Sequence, residues 1–539
     1  MAQTSPRAEL ISFHKKTYLQ NKKIIEELVS HEDKNFRQYE ADYLKSVRHF
    51  KSVSSHEEMM ASVMKADIIY VGDFHTLNQS QRSLLRLLRE LVLKTKDFIL
   101  AFEVIRSDHQ NDLERFLKDR ISEKTFLKKI SFKEQWFFDL WANFKPLFDF
   151  SKYHKLGVYG LEANPDVASN LYRRDIWMAR RIVALSEMFP NKKMVVFVGD
   201  LHIAKRHLPL EVTKIFRKKN KKQNFIILHQ NSDAIYWKLA AHEMEDKINV
   251  VKISDNEFCR MHTPPVIAQQ SYLNWLEHEE DTLDYADAKH SFLTYLDKIA
   301  QFLEIKTPPQ KEDIEIFTCG DLSFLKRLKE DKIFSFSELK EIKRQIAKSQ
   351  SYYIPKKKYV YLANVSVNHA AEEAAHVLRH LCLGEEFPRV MQDSFYAAIL
   401  YEALGFFGSK IINPKRKCLR PVDCRSLVTY LHSTSLKGGR LLEFETARLF
   451  LEHEEKVLKG DPFLAPRIAH FSVDLFLSLT QALGYFLGEK MFYGLLQNKL
   501  PKEAIRRLYS DEMEEEGDPV VVYLGFVEAL KKVVLPRRN

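Results

Sequence analysis

The chain has 539 residues, 45% hydrophobic and 29% charged, the balance of a soluble globular protein with too much length for one ordinary core, so two or three domains are expected. Its net charge of +10 comes from 83 basic against 73 acidic residues, and so even a mixture carries no specific signal for nucleic acid or for a membrane. Five cysteines without a CxxC pair (Cys259, Cys319, Cys382, Cys418, Cys424) and an N-terminus lacking an apolar h-region give the expectation of a cytoplasmic protein with reduced thiols and no zinc ribbon.

Residues 1–58 are polar with a helical pattern, apolar Ile24, Ile25, Leu28 and Tyr39 standing among many charges, and read as an N-terminal helical extension. From residue 59 to 277, strand-like and helical segments alternate. Strands are expected at Asp67–Val71, Asp97–Val104, Leu156–Leu161, Met194–Val198, Phe225–His229 and Ile248–Ile253, with helices such as Gln79–Leu93 and Val167–Met188 between them. This order predicts an α/β fold: a mostly parallel, doubly wound sheet with helices on both faces. The remainder, 278–539, reads as a mainly helical C-terminal domain with two strand candidates, Ile314–Cys319 and Tyr359–Val365.

The most informative feature is a pair of similar strand ends. Ile68-Ile69-Tyr70-Val71 stops at Gly72-Asp73-Phe74-His75, and Val195-Val196-Phe197-Val198 stops at Gly199-Asp200-Leu201-His202. In a parallel sheet the carboxyl ends of the strands share one edge, where ligands bind in open α/β folds. That edge collects Asp73, His75, Glu103, Glu162, Asp200 and His202, and Arg174 and Asp175 sit on the helix before the fourth strand. Imidazoles with carboxylates suit zinc, manganese or iron; a His/Glu pair suits acid–base work on water; imidazole also ligates haem iron. Gly-Asp is an ordinary turn dipeptide, and Arg174 and Asp175 equally suit a solvated helix face, so the weight lies in the two motifs together with Glu103.

In order and spacing, Gly72, Asp73 and His75, then Glu103, then Arg174, Asp175, Met178 and Ala179, then Gly199, His202, Leu208 and Pro209 resemble the ChaN-like haem-binding uptake proteins of the Tiki superfamily, which also takes in erythromycin esterases and Tiki/TraB proteins. The resemblance covers roughly residues 60–270. It implies a mixed α/β fold with a His/Glu site at its rim, and haem as the candidate cofactor held by Asp73, His75, Glu103, Glu162, Asp175 and His202. Esterase-like relatives imply instead a hydrolase using His75, Glu103 and His202 with Arg174. Metal-dependent Tiki relatives imply a divalent ion on His75, Glu103, His202 and Asp200. The chain departs from the family in carrying Asp73 where glutamate is usual, and in lacking the export signal typical of ChaN proteins.

Three functions therefore stand side by side: a ligand-binding protein for haem or another metal-containing cofactor, a hydrolase, and a scaffold with no cofactor. The aromatic stretch with Trp136, Phe137, Phe138, Trp141 and Phe144 offers flat walls for a porphyrin, and equally suits a core. A faint repeat places Pro388-Arg389-Val390 and Pro466-Arg467-Ile468 before two glycine-bearing apolar helices, which are expected to pack together, within the chain or across a homodimer interface. His369, Glu373, His376 and His380 share a helix face, read as an exposed or capped polar face for want of a second ExxH. Phosphate-loop, dinucleotide, HExxH and GxSxG patterns are missing.

Overall fold

A computed structural model describes residues 5–29, 34–132, 140–164, 170–279, 285–318, 321–347, 351–363, 366–384, 387–432 and 438–537. The chain forms two compact units: Thr17–Thr282 with Arg537–Asn539, and Met1–Lys16 with Leu283–Pro536. Helix α1 (Pro6–Leu28) contains the boundary between them.

The first unit is built on an eight-stranded sheet: β1 (Ser52–Ser54), β2 (Ile68–Asp73), β3 (Phe98–Arg106), β4 (Val158–Glu162), β5 (Lys193–Gly199), β6 (Phe225–Gln230), β7 (Val250–Ser254) and β8 (Glu257–Arg260). Its order is β1-β7-β8-β6-β2-β5-β3-β4. The five pairings from β8 to β4 are parallel, and β7 pairs antiparallel with both β8 and β1. The α/β, mostly parallel sheet expected from the sequence is therefore present. The two short strands it did not predict, β1 and β8, lie in the edge-ward half. Residues 52–54 are exposed or half-buried and carry no apolar pattern.

Around the sheet lie α2 (Lys34–Ser46), α3 (His56–Lys65), α4 (Asn78–Lys94), α5 (Gln110–Leu117), α6 (Glu123–Lys129), α7 (Trp141–His154), α8 (Leu171–Met188), α9 (Leu208–Lys218), α10 (Asp233–Ala241) and α11 (Pro265–Glu279). Strand residues point alternately to the two faces. Ile69, Val71, Val195 and Phe197 pack with Leu84, Leu87 and Leu88 of α4 and Phe144 and Phe148 of α7. Ile68, Tyr70, Val196 and Val198 pack on the other face with Met178 and Ile182 of α8 and Val212 of α9. Burying each such side chain contributes about 1.5–3 kcal/mol, and burial on both faces explains why the strands read as unbroken apolar runs.

Trp141 and Phe144 belong to this core, Trp141 packing edge-on to Phe116, Phe126 and Phe132. They form no ligand wall, because a helix laid on the sheet must turn its largest apolar side chains inward. Trp136, Phe137 and Phe138 lie outside the described residues.

The second unit holds α12 (Tyr285–Leu303), α13 (Ser323–Glu330), α14 (Phe336–Ala347), α15 (Val367–Leu383), α16 (Met391–Ile412), α17 (Pro421–His432), α18 (Gly439–Val457), α19 (Ala465–Ile468), α20 (Val473–Leu496), α21 (Lys502–Arg507) and α22 (Asp518–Ala529). A small sheet of β9 (Glu315–Thr318), β10 (Tyr352–Ile354) and β11 (Tyr359–Leu362) runs in the order β10-β11-β9. The two apolar helices of the faint repeat, α16 and α20, pack on each other within the chain: a Cβ at Gly488 would stand 2.5 Å from the Ala403 carbonyl oxygen. Their apolar faces are used inside this unit. By length and composition α16 is apolar enough to cross a membrane, but most of it is buried as a core helix of the unit.

The polar face of α15, expected to be exposed or capped, is exposed at His369 and half-buried at His380. Glu373 and His376 are buried, as is Glu372, which pairs with Arg416 at 2.7 Å and accepts a hydrogen bond from Tyr485. His376 stacks on Tyr401 at 3.9 Å. An arginine and a tyrosine from other segments compensate Glu372, which the pattern of α15 alone does not show.

Candidate functional site at the carboxyl edge of the sheet

The site follows from strand register. Asp73 at the end of β2 lies opposite Gly199 at the end of β5, and Phe102 of β3 lies opposite Phe197, which brings Glu103 to the same edge. A Cβ on Gly199 would stand 3.3 Å from His75 Nε2, 3.4 Å from Glu103 Oε2 and 3.6 Å from His202 Cδ2. His75, Glu103 and His202 thus converge on one glycine.

Two layers surround that point. In the first, His75 Nδ1 donates to Asp73 Oδ2 at 2.7 Å, and Gln81 of α4 donates to Asp73 Oδ1 at 2.6 Å. Both oxygens of Asp73 are therefore committed, and the Nδ1 bond turns Nε2 of His75 toward Gly199. Burial works against charge on His75, but the Asp73 hydrogen bond and charge outweigh it, and its pKa is raised. The ring keeps 28% of its surface exposed, while Asp73 is enclosed.

The second layer is a closed charge network. Glu103 accepts from the Gly199 N–H and from Arg174 Nη2, both at 2.5 Å. Arg174 also forks onto Glu162, from Nε to Oε1 at 3.1 Å and from Nη2 to Oε2. His202 Nδ1 donates to Asp175 Oδ1 at 2.7 Å, and its Nε2 faces Glu103 Oε1 at 3.5 Å. Burial disfavours charge on His202, but the charges of Glu103 and Asp175 win and push its pKa up to about 9. Burial likewise works against the Glu103 carboxylate, yet His202, Arg174 and His75 hold it well below the usual range. His202 is therefore an imidazolium with a carboxylate at each nitrogen, and Arg174 is spent on Glu103 and Glu162.

Asp200 stands apart from this network. Its Oδ1 packs on Gly72, where a Cβ would come within 1.9 Å, and among the described residues that oxygen has no hydrogen-bond partner. Burial, and then the Asp73 charge, push its pKa well above the ordinary carboxylate value. Among the described residues no group of three or more His, Cys, Asp or Glu side chains is arranged to hold a metal ion.

Several contributors carried no sequence signal. Tyr39 of α2 donates to Asp175 Oδ2 at 2.7 Å, lies 2.9 Å from His202 Nδ1 and stacks on His207 at 3.7 Å. Its only trace in the sequence is an apolar position in a polar helix. Beside His75, the Phe74 ring meets Tyr272 of α11 at 6.3 Å, and Tyr272 stacks on Trp275 at 5.6 Å. All three are half-buried, and Thr76 bonds Ser271 at 3.2 Å in the same place.

A family model described as haem-binding uptake, Tiki superfamily, ChaN matches residues 59–177. The match includes Asp73, His75, Glu103, Glu162, Arg174 and Asp175 and stops before Asp200 and His202. No curated protein matches the chain. Among solved structures, one of ChaN from Campylobacter jejuni, titled for cofacial heme binding, is 15% identical, covering 33% of this chain and 87% of that one with a TM-score of 0.26. Residues 59–177 are thus similar to the family described as haem-binding uptake, Tiki superfamily, ChaN.

Proposed function

We propose that the first unit binds haem at the carboxyl edge of its sheet, with His75 as the iron ligand. The observation that carries this reading is the 2.7 Å bond from His75 Nδ1 to Asp73, which fixes the tautomer and raises the basicity of Nε2, the arrangement typical of a ligating histidine. Haem also needs flat apolar surface, and Phe74, which adjoins His75 in the chain, offers it together with Tyr272 and Trp275. His202 does not suit ligation, since both its nitrogens face carboxylates. Bound haem would bring an iron centre with coordination chemistry that no side chain here provides. The family description, haem-binding uptake, supports the same ligand class.

The test is a haemin titration followed by visible absorbance. A saturable Soret shift is expected, lost in His75→Ala and kept in His202→Gln. A shift unchanged in His75→Ala overturns the assignment.

The same Asp73–His75 pair favours a second reading, a hydrolase in which His75 takes a proton from water. Ester turnover abolished in His75→Ala and in Asp73→Asn, with no saturable haemin binding, would favour it over the first.

A further inference from the structure

Helix α4 turns Leu84, Leu87, Leu88 and Leu91 into the core and leaves Arg82, Arg86 and Arg89 exposed on the opposite side. Their offsets of 4 and 7 place them on one face, about 10 Å from end to end. A fourth arginine joins them from another element. Arg260, the last residue of β8, is half-buried and donates from Nη1 to the Ser83 carbonyl oxygen at 3.0 Å, which carries its guanidinium from the sheet edge onto α4.

This positive charge has little compensation. The charged groups that act on Arg86 are Arg82, Arg89 and Glu90, and those that act on Arg260 are Arg86 and Glu90. Glu90 is already held by His56 at 2.6 Å. Among the described residues none of the four arginines has a carboxylate within ion-pair distance. Burial first, and then Arg86, push the pKa of Arg260 down to about 10. Like charges brought together without counter-charge cost free energy that a bound anion would recover, and guanidinium groups match oxyanions in a two-point geometry.

We propose that Arg82, Arg86, Arg89 and Arg260 form a binding surface for a small polyanion bearing phosphoryl or carboxylate groups. Arg260 closing onto α4 from a separate strand makes a convergent site. A face for a long polyanion would instead extend along the surface, whereas this patch meets Glu90 on α4, and the charge of the whole chain is well mixed.

The test uses the full chain and calorimetric titration with inorganic pyrophosphate and with citrate. One saturable site is expected, with the tighter of the two anions naming phosphoryl or carboxylate as the preferred group. Affinity should fall about tenfold or more in Arg86→Gln and in the Arg82→Gln/Arg89→Gln pair. These side chains lie on an exposed helix face, so the variants keep the fold, which circular dichroism checks. Binding should survive His75→Ala, which separates this site from the haem reading. Absence of saturable binding by either anion, equal affinity in Arg86→Gln, or retention on duplex DNA that neither anion displaces, would each overturn the proposal.

Discussion

Tyr39 and Asp175 are joined by a 2.7 Å hydrogen bond across 136 residues of sequence. Through it, a helix from the N-terminal stretch completes the charge network at the edge of the sheet, because Asp175 in turn holds His202. Replacing Tyr39 by Phe removes the hydroxyl and keeps a ring to stack on His207. The buried Asp175 oxygen then loses a donor, and urea unfolding should show a loss of about 1–3 kcal/mol. A Tyr39→Phe protein as stable as the parent would mean that water replaces the phenol and that α2 only covers the site.

His202 gives the network a pH signature. Its folded pKa of about 9 lies above the ordinary 6.5, so the stability it contributes is complete below about pH 6.5 and is lost as pH rises through about 9. The size is on the order of 3 kcal/mol. The same attraction lowers Glu103, so the two shifts describe one interaction and do not add. Chemical denaturation at pH 6.5 and pH 9.5 should show this loss in the parent and much less of it in His202→Gln. Equal pH dependence in both proteins would mean that His202 is not charged in the folded state.

His75 titrates in the opposite functional sense. A protonated imidazole cannot ligate iron, and Asp73 raises the pKa of His75. Haemin affinity should therefore be full at alkaline pH and fall as pH drops through a midpoint above the usual histidine value. Asp73→Asn removes the charge that sustains that pKa, so the midpoint should move to lower pH. Soret titrations between pH 5.5 and 9 measure it, and a midpoint that does not move would remove Asp73 from control of His75.

Much of this edge was legible because parallel strands write their ends into sequence. Asp73, His75, Glu103, Glu162, Asp200 and His202 each follow or close an apolar run, and the register of β2 with β5 brings the two Gly-Asp-x-His motifs together. Their roles were less legible. The two motifs look alike, yet Asp73 is bonded to His75 while Asp200 packs on Gly72, its Oδ1 without a hydrogen-bond partner among the described residues, a difference set by neighbouring strands and by Gln81. Tyr39 reaches the site, and Tyr272 reaches Phe74, next to His75 in the chain, from helices outside the strand pattern, where an aromatic residue looks like any core position. Glu373 and His376 read as an exposed or capped face because what covers them, such as Tyr401 stacked on His376, comes from another helix.

The helical unit offers two glycine substitutions of opposite sign. Gly488 of α20 lies against α16, where an added Cβ would meet the Ala403 carbonyl oxygen at 2.5 Å and Phe406 Cβ at 3.2 Å. The nearest of these atoms is backbone, so relief requires the two helices to separate, at about 1–3 kcal/mol. Alanine also gains about 1 kcal/mol of helix propensity over glycine, which offsets part of that cost without reversing it when the helices are pinned along their length. Gly525 of α22 has nothing within 4 Å of its Cβ position, so only the propensity gain remains there. Gly488→Ala should lower the stability of the protein, and Gly525→Ala should raise it by about 0.5–1 kcal/mol. Denaturant midpoints of the two variants check this, and a stabilised Gly488→Ala would show that α16 and α20 are less tightly apposed than the Ala403 contact requires.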